Sequence, residues 1–473
     1  MLRGRIYGYC GVTLGNNVHL GFQKGELSEF MRSLWLILLA LPLAGQEPLS
    51  LHDAVALALR ENRAVVAGEA GARAAAERVK QAKSGMLPKV NVTEGAMRGN
   101  NPVYVFGSLL TQHQFGPGNF NIGPLNRPDA LNNFQTQLTV DQPLYDGRQT
   151  KNATTMAQLG GKMADEDQRR VRMETVARVA QTYYDSALAS ENLKAAEQAV
   201  RSAEQDLRRA EDVRAAGMST DADVLSIKVH LAAVDEQRIT RRAELDVAKA
   251  ALNDAMGVPL EVEHALTTAL APATFTETAI GTLEKEAAEG RAETRQSRLA
   301  ASLAEAQNRA ARDSWLPQVG VRAAFESDAQ RFVTRGGANW MAGVTVRWNV
   351  FNGFADRARM AETSSLLERA RADEQRAGSA VKLQVRRAYA GLQAASQRIQ
   401  VALAAVAAAE ESLRITQNRY EAGLATVTDL LRTETALLET RTRYLAALHD
   451  ERVAATMVEF AAGRLTADSG VLN

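Results

Sequence analysis

Cysteine is nearly missing: the only one among 473 residues is Cys10. Beyond it no disulfide and no thiolate metal site is available, so the rest of the chain must be held together by packing. Charge of one sign is missing too. Lys and Arg number 56 against 55 Asp and Glu, a net of +1. No basic excess therefore points to nucleic acid, and no acidic tail is present. Aromatics make up only 5% although hydrophobic residues reach 46%. With alanine abundant, that mixture suits long, closely packed helices better than a large aromatic core. Catalytic signatures are absent as well. His52, His113, His230, His264 and His449 are scattered, with no H-E-x-x-H and no pair at metal-ligand spacing. The stretch "GGKM" at 160–163 lacks the first glycine and the Ser/Thr of a phosphate-binding loop. G-x-S-x-G and a strand-linked G-x-G-x-x-G are also missing. The expectation is a protein without enzymatic activity, cofactor or metal.

Long apolar runs are equally scarce. One, "MRSLWLILLALPLAGQ" at 31–46, has a single positive charge, an apolar stretch from Leu34 to Leu43, and the small residues Ala44 and Gly45. This is the layout of a secretory signal, too short to cross a bilayer as a helix. Residues 1–45 are therefore expected to be an upstream extension and a removed signal peptide. No cysteine follows Gly45, so the pattern for a lipidated N-terminus is absent.

What the sequence does contain is a duplication. "RAAGMSTDADVL" (214–225) is matched by "YEAGLATVTDLL" (420–431), and "LTVDQPLYDG" (138–147) by "VTVRWNVFNG" (344–353), each 206 positions later. Tyr183 answers Tyr389, and Gly257 answers Gly463. Upstream, "LPKVNV" (87–92) answers "LPQVGV" (316–321) at an offset of 229, so the first copy carries about 23 extra residues. They fall in an Asn-, Gly- and Pro-rich stretch, 98–133, expected to be an extended surface loop. The copies span 46–257 and 283–463, with a linker at 258–282 and a tail at 464–473. Two copies are too few for a solenoid.

Each copy has the same order of elements. A helix (about 51–84 and 283–313) ends at a Leu-Pro pair, since the residue before proline disfavours helix. Alternating polar and apolar residues follow, as in Trp340, Ala342, Val344, Val346, Trp348 and Val350 with Thr345, Arg347 and Asn349 between them. That period of two marks strands, about four per chain and each near ten residues. Then come proline-free stretches, 148–214 and 354–420, which as helices would reach on the order of 100 Å. Within them Ala196, Val200, Ala203, Leu207 and Ala210 step by 4 and 3, as do Ala402, Val406, Ala409, Leu413 and Thr416. Such spacing predicts coiled-coil seams. A glycine bend then leads into a returning helix, about 220–256 and 426–462. The fold class expected is mainly α with a small β part.

Four strands cannot close a barrel, and an open edge cannot lie in lipid with unpaired backbone groups. Pooling strands from three chains gives twelve, enough for a water-filled lumen. A soluble sheet capping a coiled-coil rod is the other solution, and with it a periplasmic scaffold or chaperone. The order of helix, strand pair, very long helix, glycine bend and returning helix resembles the TolC family of outer-membrane efflux channels over about residues 49–465. The motifs that carry the likeness are "PLYDG" (143–147), "NVFNG" (349–353) and the two bends. The resemblance implies a homotrimer in the outer membrane, with a twelve-stranded β-barrel continued into the periplasm by an α-helical barrel. It also implies a passive exit duct of a tripartite efflux or type I secretion system, opened by docking to a periplasmic adaptor (membrane fusion protein) and an inner-membrane pump.

The same likeness places the adaptor-contact tip at Ala216, Gly217, Met218, Ala422, Gly423 and Leu424. It places the periplasmic gate at Asp223, Tyr420 and Asp429, with Asp429 facing the lumen. The sequence departs from the family pattern at Ala425 and Arg432, where a gate arginine and a second lumenal aspartate are the expectation. From the residues alone the glycines read equally as helix terminators, and Asp223 and Asp429 as acidic residues at helix N-termini.

Overall fold

The computed structural model describes residues 47–273, 278–332 and 336–472; the apolar run expected to direct export lies outside them. The described residues begin with β1 (Glu47–Leu49), α1 (Leu51–Glu61) and α2 (Arg63–Lys83). Next come β2 (Lys89–Gly99), α3 (Pro102–Thr111), the single turn α4 (Ile122–Asn126) and β3 (Leu131–Tyr145). The first hairpin is α5 (Gln149–Ala215) and α6 (Asp221–Met256). After β4 (His264–Leu266) the second copy follows as α7 (Ile280–Gly290), α8 (Ala292–Asp313), β5 (Gln318–Ala329), β6 (Gly337–Arg347), α9 (Ala355–Glu421) and α10 (Val427–Ala462).

Helices α5 and α9 are each 67 residues long, and α6 and α10 are each 36. At the usual rise, α5 and α9 reach about 100 Å. The four lie side by side in the order α6, α5, α10, α9. Alanine lets them approach closely: Ala196, Ala203 and Ala210 of α5 are buried. Their counterparts Ala402, Ala409 and Thr416 on α9 are only half-buried, because α9 is an outer helix of the set. The outer helices keep exposed apolar residues, among them Val229, Ile239 and Val247 on α6 and Val401, Leu403 and Ile415 on α9.

The main core lies where the short helices meet the hairpins. Leu51 and Val55 of α1 pack with Tyr183 and Tyr184 of α5 and Leu252 and Met256 of α6, and the C-terminal residues Leu465 and Leu472 close over them. Leu283 and Ala287 of α7 pack in the same manner on Val381, Val385 and Leu392 of α9. In each copy the helix expected to be continuous is broken in two. Asn62 is extended, its side chain accepts from Ala64 N–H at 2.8 Å, and its amide donates to the Ala255 carbonyl at 2.8 Å. In copy two Arg291 is extended and donates to the Phe460 carbonyl at 2.9 Å. These links to the returning helices fix both kinks, and periodicity along one helix does not reveal them.

Among the described residues there are six strands rather than four, because β1 and β4 form a separate two-stranded sheet. The large sheet has the order β2-β3-β5-β6, antiparallel throughout. The stretch 98–133 is a second correction. Its ends continue β2 and β3, and α3, a short turn at Pro117–Phe120 and α4 fill the middle. Asn101 caps α3 by accepting from Val103 and Tyr104 N–H groups, with Pro102 in the first turn. Asn and Pro thus start a helix here, as they do in helix caps, rather than an extended loop. No described helix is long and apolar enough to cross a membrane.

Candidate functional site

The two bends have one construction. In the first, Met218 N–H donates to Val213 C=O at 3.1 Å and Gly217 N–H to Arg214 C=O at 2.8 Å. In the second, Leu424 N–H donates to Arg419 C=O at 2.7 Å and Gly423 N–H to Tyr420 C=O at 3.0 Å. This paired closure of a helix C-terminus requires a left-handed residue. Gly217 and Gly423 supply it at φ of 77° and 73°. No atom lies within 4 Å of the space a β-carbon would take at either glycine. The requirement is therefore conformational and not steric. Beside them Met218 and Leu424 are 76% and 69% exposed, long apolar side chains at the end of the molecule. Ala216 and Ala422 cap the helices that end there.

The returning helices begin with reciprocal caps. Thr220 Oγ1 accepts from Asp223 N–H at 3.2 Å while Asp223 accepts from Thr220 N–H at 3.1 Å. Thr426 and Asp429 make the same two bonds at 3.2 and 3.1 Å. Hydrogen bonds from the threonines hold both carboxyls below the ordinary aspartate range. Within one chain, then, Asp223 and Asp429 are tied to their own helix starts. Tyr420 lies in the apolar seam formed by Ala210, Val224, Ile227 and Val427. Burial, and then the charges of Asp223 and Asp206, raise its phenol.

One cluster near the bends escaped the sequence reading. Asp206 on α5 is 4% exposed, and it meets Glu434 on α10 between the two hairpins. Ser202 donates to Glu434 at 3.0 Å, and His230 of α6 stands 3.5 Å from it. Burial, reinforced by a hydrogen bond with Glu434, pushes the Asp206 carboxyl up to about 7. Burial opposes ionisation of Glu434 too, but hydrogen bonds with His230, Asp206 and Ser202 outweigh it and lower its pKa. The copies are not alike here: the positions matching Asp206, Glu434 and His230 hold Ser412, Lys228 and Ala436. A carboxylate on the same helix face as Ala203, Leu207 and Ala210 was the available signal. Further along, His449 of α10 bonds Asp185 at 2.7 Å and Asp450 at 3.2 Å. Burial opposes its charge, yet those two partners raise its pKa.

The large sheet has two unlike faces. Opposed residues line up in rows across it: Val90, Val140, Ala323 and Ala342 in one, Val92, Leu138, Phe325 and Trp340 in the next. Val321–Val344 and Val319–Val346 continue the face toward the helices. Val92 is 71% and Trp340 80% exposed, so the apolar rows stand uncovered. A single chain in water would not leave such a continuous patch bare. The other face carries Asp141 with Arg322, Asn91 with Thr139, and Gln137 with Glu326 and Asn339. The edge strands β2 and β6 are each paired on one side only, and they run antiparallel to each other. Successive copies can thus join β6 to β2 and keep the whole sheet antiparallel.

A family model described as "Outer membrane efflux protein" matches residues 54–258 and 283–464. The outer membrane efflux protein BepC of Brucella suis is 25% identical over 444 residues, 90% of this chain and 88% of that protein. The proteases secretion protein PrtF of Dickeya chrysanthemi is 26% identical over 234 residues. That match spans about half of either chain, 49% of this one and 47% of PrtF. Among solved structures, the Campylobacter jejuni CmeC outer membrane channel superposes with a TM-score of 0.75. It shares 16% identity, with 89% of this chain and 87% of that one covered.

Proposed function

The chain belongs to the outer membrane efflux protein family, and on that premise we propose that three copies form one continuous exit duct. As a member of that family it is a transport channel of the outer membrane and not an enzyme, with its helical part in the periplasm. The single observation that carries the trimer is the large sheet. It has one bare apolar face, one polar face and two free edges of compatible direction. In lipid, unpaired edges cost several kcal/mol for each backbone group, so the edges must close. Three copies close a barrel of twelve strands, apolar outward and polar toward a lumen. Six hairpins then ring the far end, and the exposed apolar residues of α6 and α9 meet across copies.

At that end Ala216, Gly217, Met218, Ala422, Gly423 and Leu424 are the surface offered to a periplasmic adaptor, with Met218 and Leu424 as the apolar contacts. Asp223, Tyr420 and Asp429 form the gate, which docking to the adaptor and an inner-membrane pump opens. The duct itself is passive; the pump supplies the energy. Efflux and type I protein secretion are both compatible with this role; of the two relatives, one is named an efflux protein and the other a proteases secretion protein. A soluble scaffold would require the apolar rows to be covered, and nothing in the described chain covers them.

Reconstitution into planar bilayers tests the reading. Purified protein should insert as trimers and conduct ions, with conductance rising when the adaptor is added. Protein that neither inserts nor conducts, with or without adaptor, would refute it.

A further inference from the structure

The stretch between β2 and β3 is built onto the polar face of the sheet. Gln112, at the C-terminal end of α3, is 2% exposed and donates to Asn133 Oδ1 at 2.8 Å. Asn133 in turn donates to Asp328 Oδ1 at 2.6 Å, and both residues are buried. On β6, Asn339 donates to the Thr111 carbonyl at 3.0 Å, and His113 lies 3.2 Å from Asn339. Gly337 permits this approach: a β-carbon there would stand 1.9 Å from the Thr111 oxygen. Asn133, Asp328 and Asn339 all belong to the face that carries Gln137 and Glu326. They occupy the end of the sheet opposite the long helices. The insert is therefore seated inward, on the side of the lumen, and at the outer end.

A twelve-stranded barrel with strands about 4.8 Å apart and tilted about 40° is roughly 24 Å across between backbone centres. A helix with its side chains is about 10 Å wide. Three inserts held against the inner wall would leave little of that bore open. Val103, Phe120 and Ile122 are 82%, 66% and 78% exposed in the single chain, apolar surface that the inserts of the other two copies would cover.

Resting on the trimeric duct proposed above, we infer that residues 100–130 form a resident constriction at the outer mouth. The three inserts meet around the axis, and their Gln112–Asn133–Asp328 anchors set the largest solute that passes.

Access from outside intact cells tests this without depending on the inner gate. In a Gln137→Cys variant the new thiol lies on the polar face below the insert. A small membrane-impermeant maleimide should label it, and a polymer-linked maleimide should label it on the order of ten-fold more slowly. Replacing 101–129 by a short Gly-Ser link should abolish that difference in trimers of normal mass. Equal labelling by both reagents with the insert in place overturns the constriction. If neither reagent labels the thiol with or without the insert, the polar face lines no lumen and the duct itself fails. Where the replacement does not assemble, Val103→Cys in the full chain decides. A short bis-maleimide should link copies within intact trimers, and intact trimers that yield no link at Val103, Phe120 or Ile122 overturn the proposal.

Discussion

Asp206→Asn should change how stability depends on pH, by an amount the structure sets. Asp206 has an ordinary pKa of 3.8 and is pushed to about 7 by burial and by Glu434. The folded chain therefore holds this proton more tightly than the unfolded chain. Where the native state binds more protons, stability falls as pH rises. Asp206 thus favours folding fully below about pH 4, loses that contribution between about 4 and 7, and is level above. A shift of this size corresponds to about 1.4 kcal/mol per pH unit and to about 4 kcal/mol across the window. The amide of asparagine is neutral at every pH and can still donate to Glu434. In guanidinium unfolding followed by helical circular dichroism, wild type and variant should coincide near pH 4, and the variant should gain up to about 4 kcal/mol by pH 8. Groups that do not touch Asp206 contribute to both proteins and cancel in the difference; Glu434, which bonds it, keeps a donor in the asparagine amide. Asp223 and Asp429, with lowered pKa values, stabilise above the ordinary aspartate value and lose this as pH falls through their folded values. His449 is raised, so its contribution is complete below 6.5 and lost as pH rises through its folded value. A constant offset between wild type and Asp206→Asn from pH 4 to 8 would refute the reasoning.

Tyr183→Phe removes a buried hydroxyl that donates to Leu49 C=O at 2.8 Å and accepts from Thr268 N–H at 3.0 Å. Leu49 C=O keeps Thr267 N–H at 3.0 Å, so one part-buried donor, Thr268 N–H, is orphaned and the loss should be about 1 kcal/mol. Tyr389→Phe, at the matching but half-buried position, should cost less, and equal losses in urea unfolding would contradict this. Gly423→Val forces a β-branched residue to φ 73°, at a cost of roughly 1–2 kcal/mol or more. It should weaken adaptor binding in pull-downs while trimers persist, and unchanged binding would remove Gly423 from the contact. Asp429→Ala should lower stability through the lost cap and shift reversal potentials in salt gradients toward lower cation preference. Unmoved potentials would leave Asp429 as a cap alone.

Most of the frame was legible because it is periodic and written twice. Proline-free stretches with alanine every three or four residues specify α5 and α9, and the glycine followed by Thr-x-x-Asp specifies each bend and the helix after it. Contacts between elements distant in sequence were not legible. Asn62 and Arg291 break their helices because of carbonyls 193 and 169 residues away. The strand β1 exists only because β4 pairs with it. The 98–133 stretch has loop composition, yet Asn101 and Pro102 start a helix whose end is anchored by Asn133 and Asp328. The Asp206–Glu434 cluster joins helices whose own patterns reveal only one half each.

The molar mass of protein extracted from membranes, measured by light scattering with correction for bound detergent, tests the closed sheet most directly. Three chains per particle, aggregating when detergent is removed, is the predicted result. A monomer or dimer that stays soluble without detergent would contradict it, because one chain or two would leave the edges of the sheet open and its apolar rows in water.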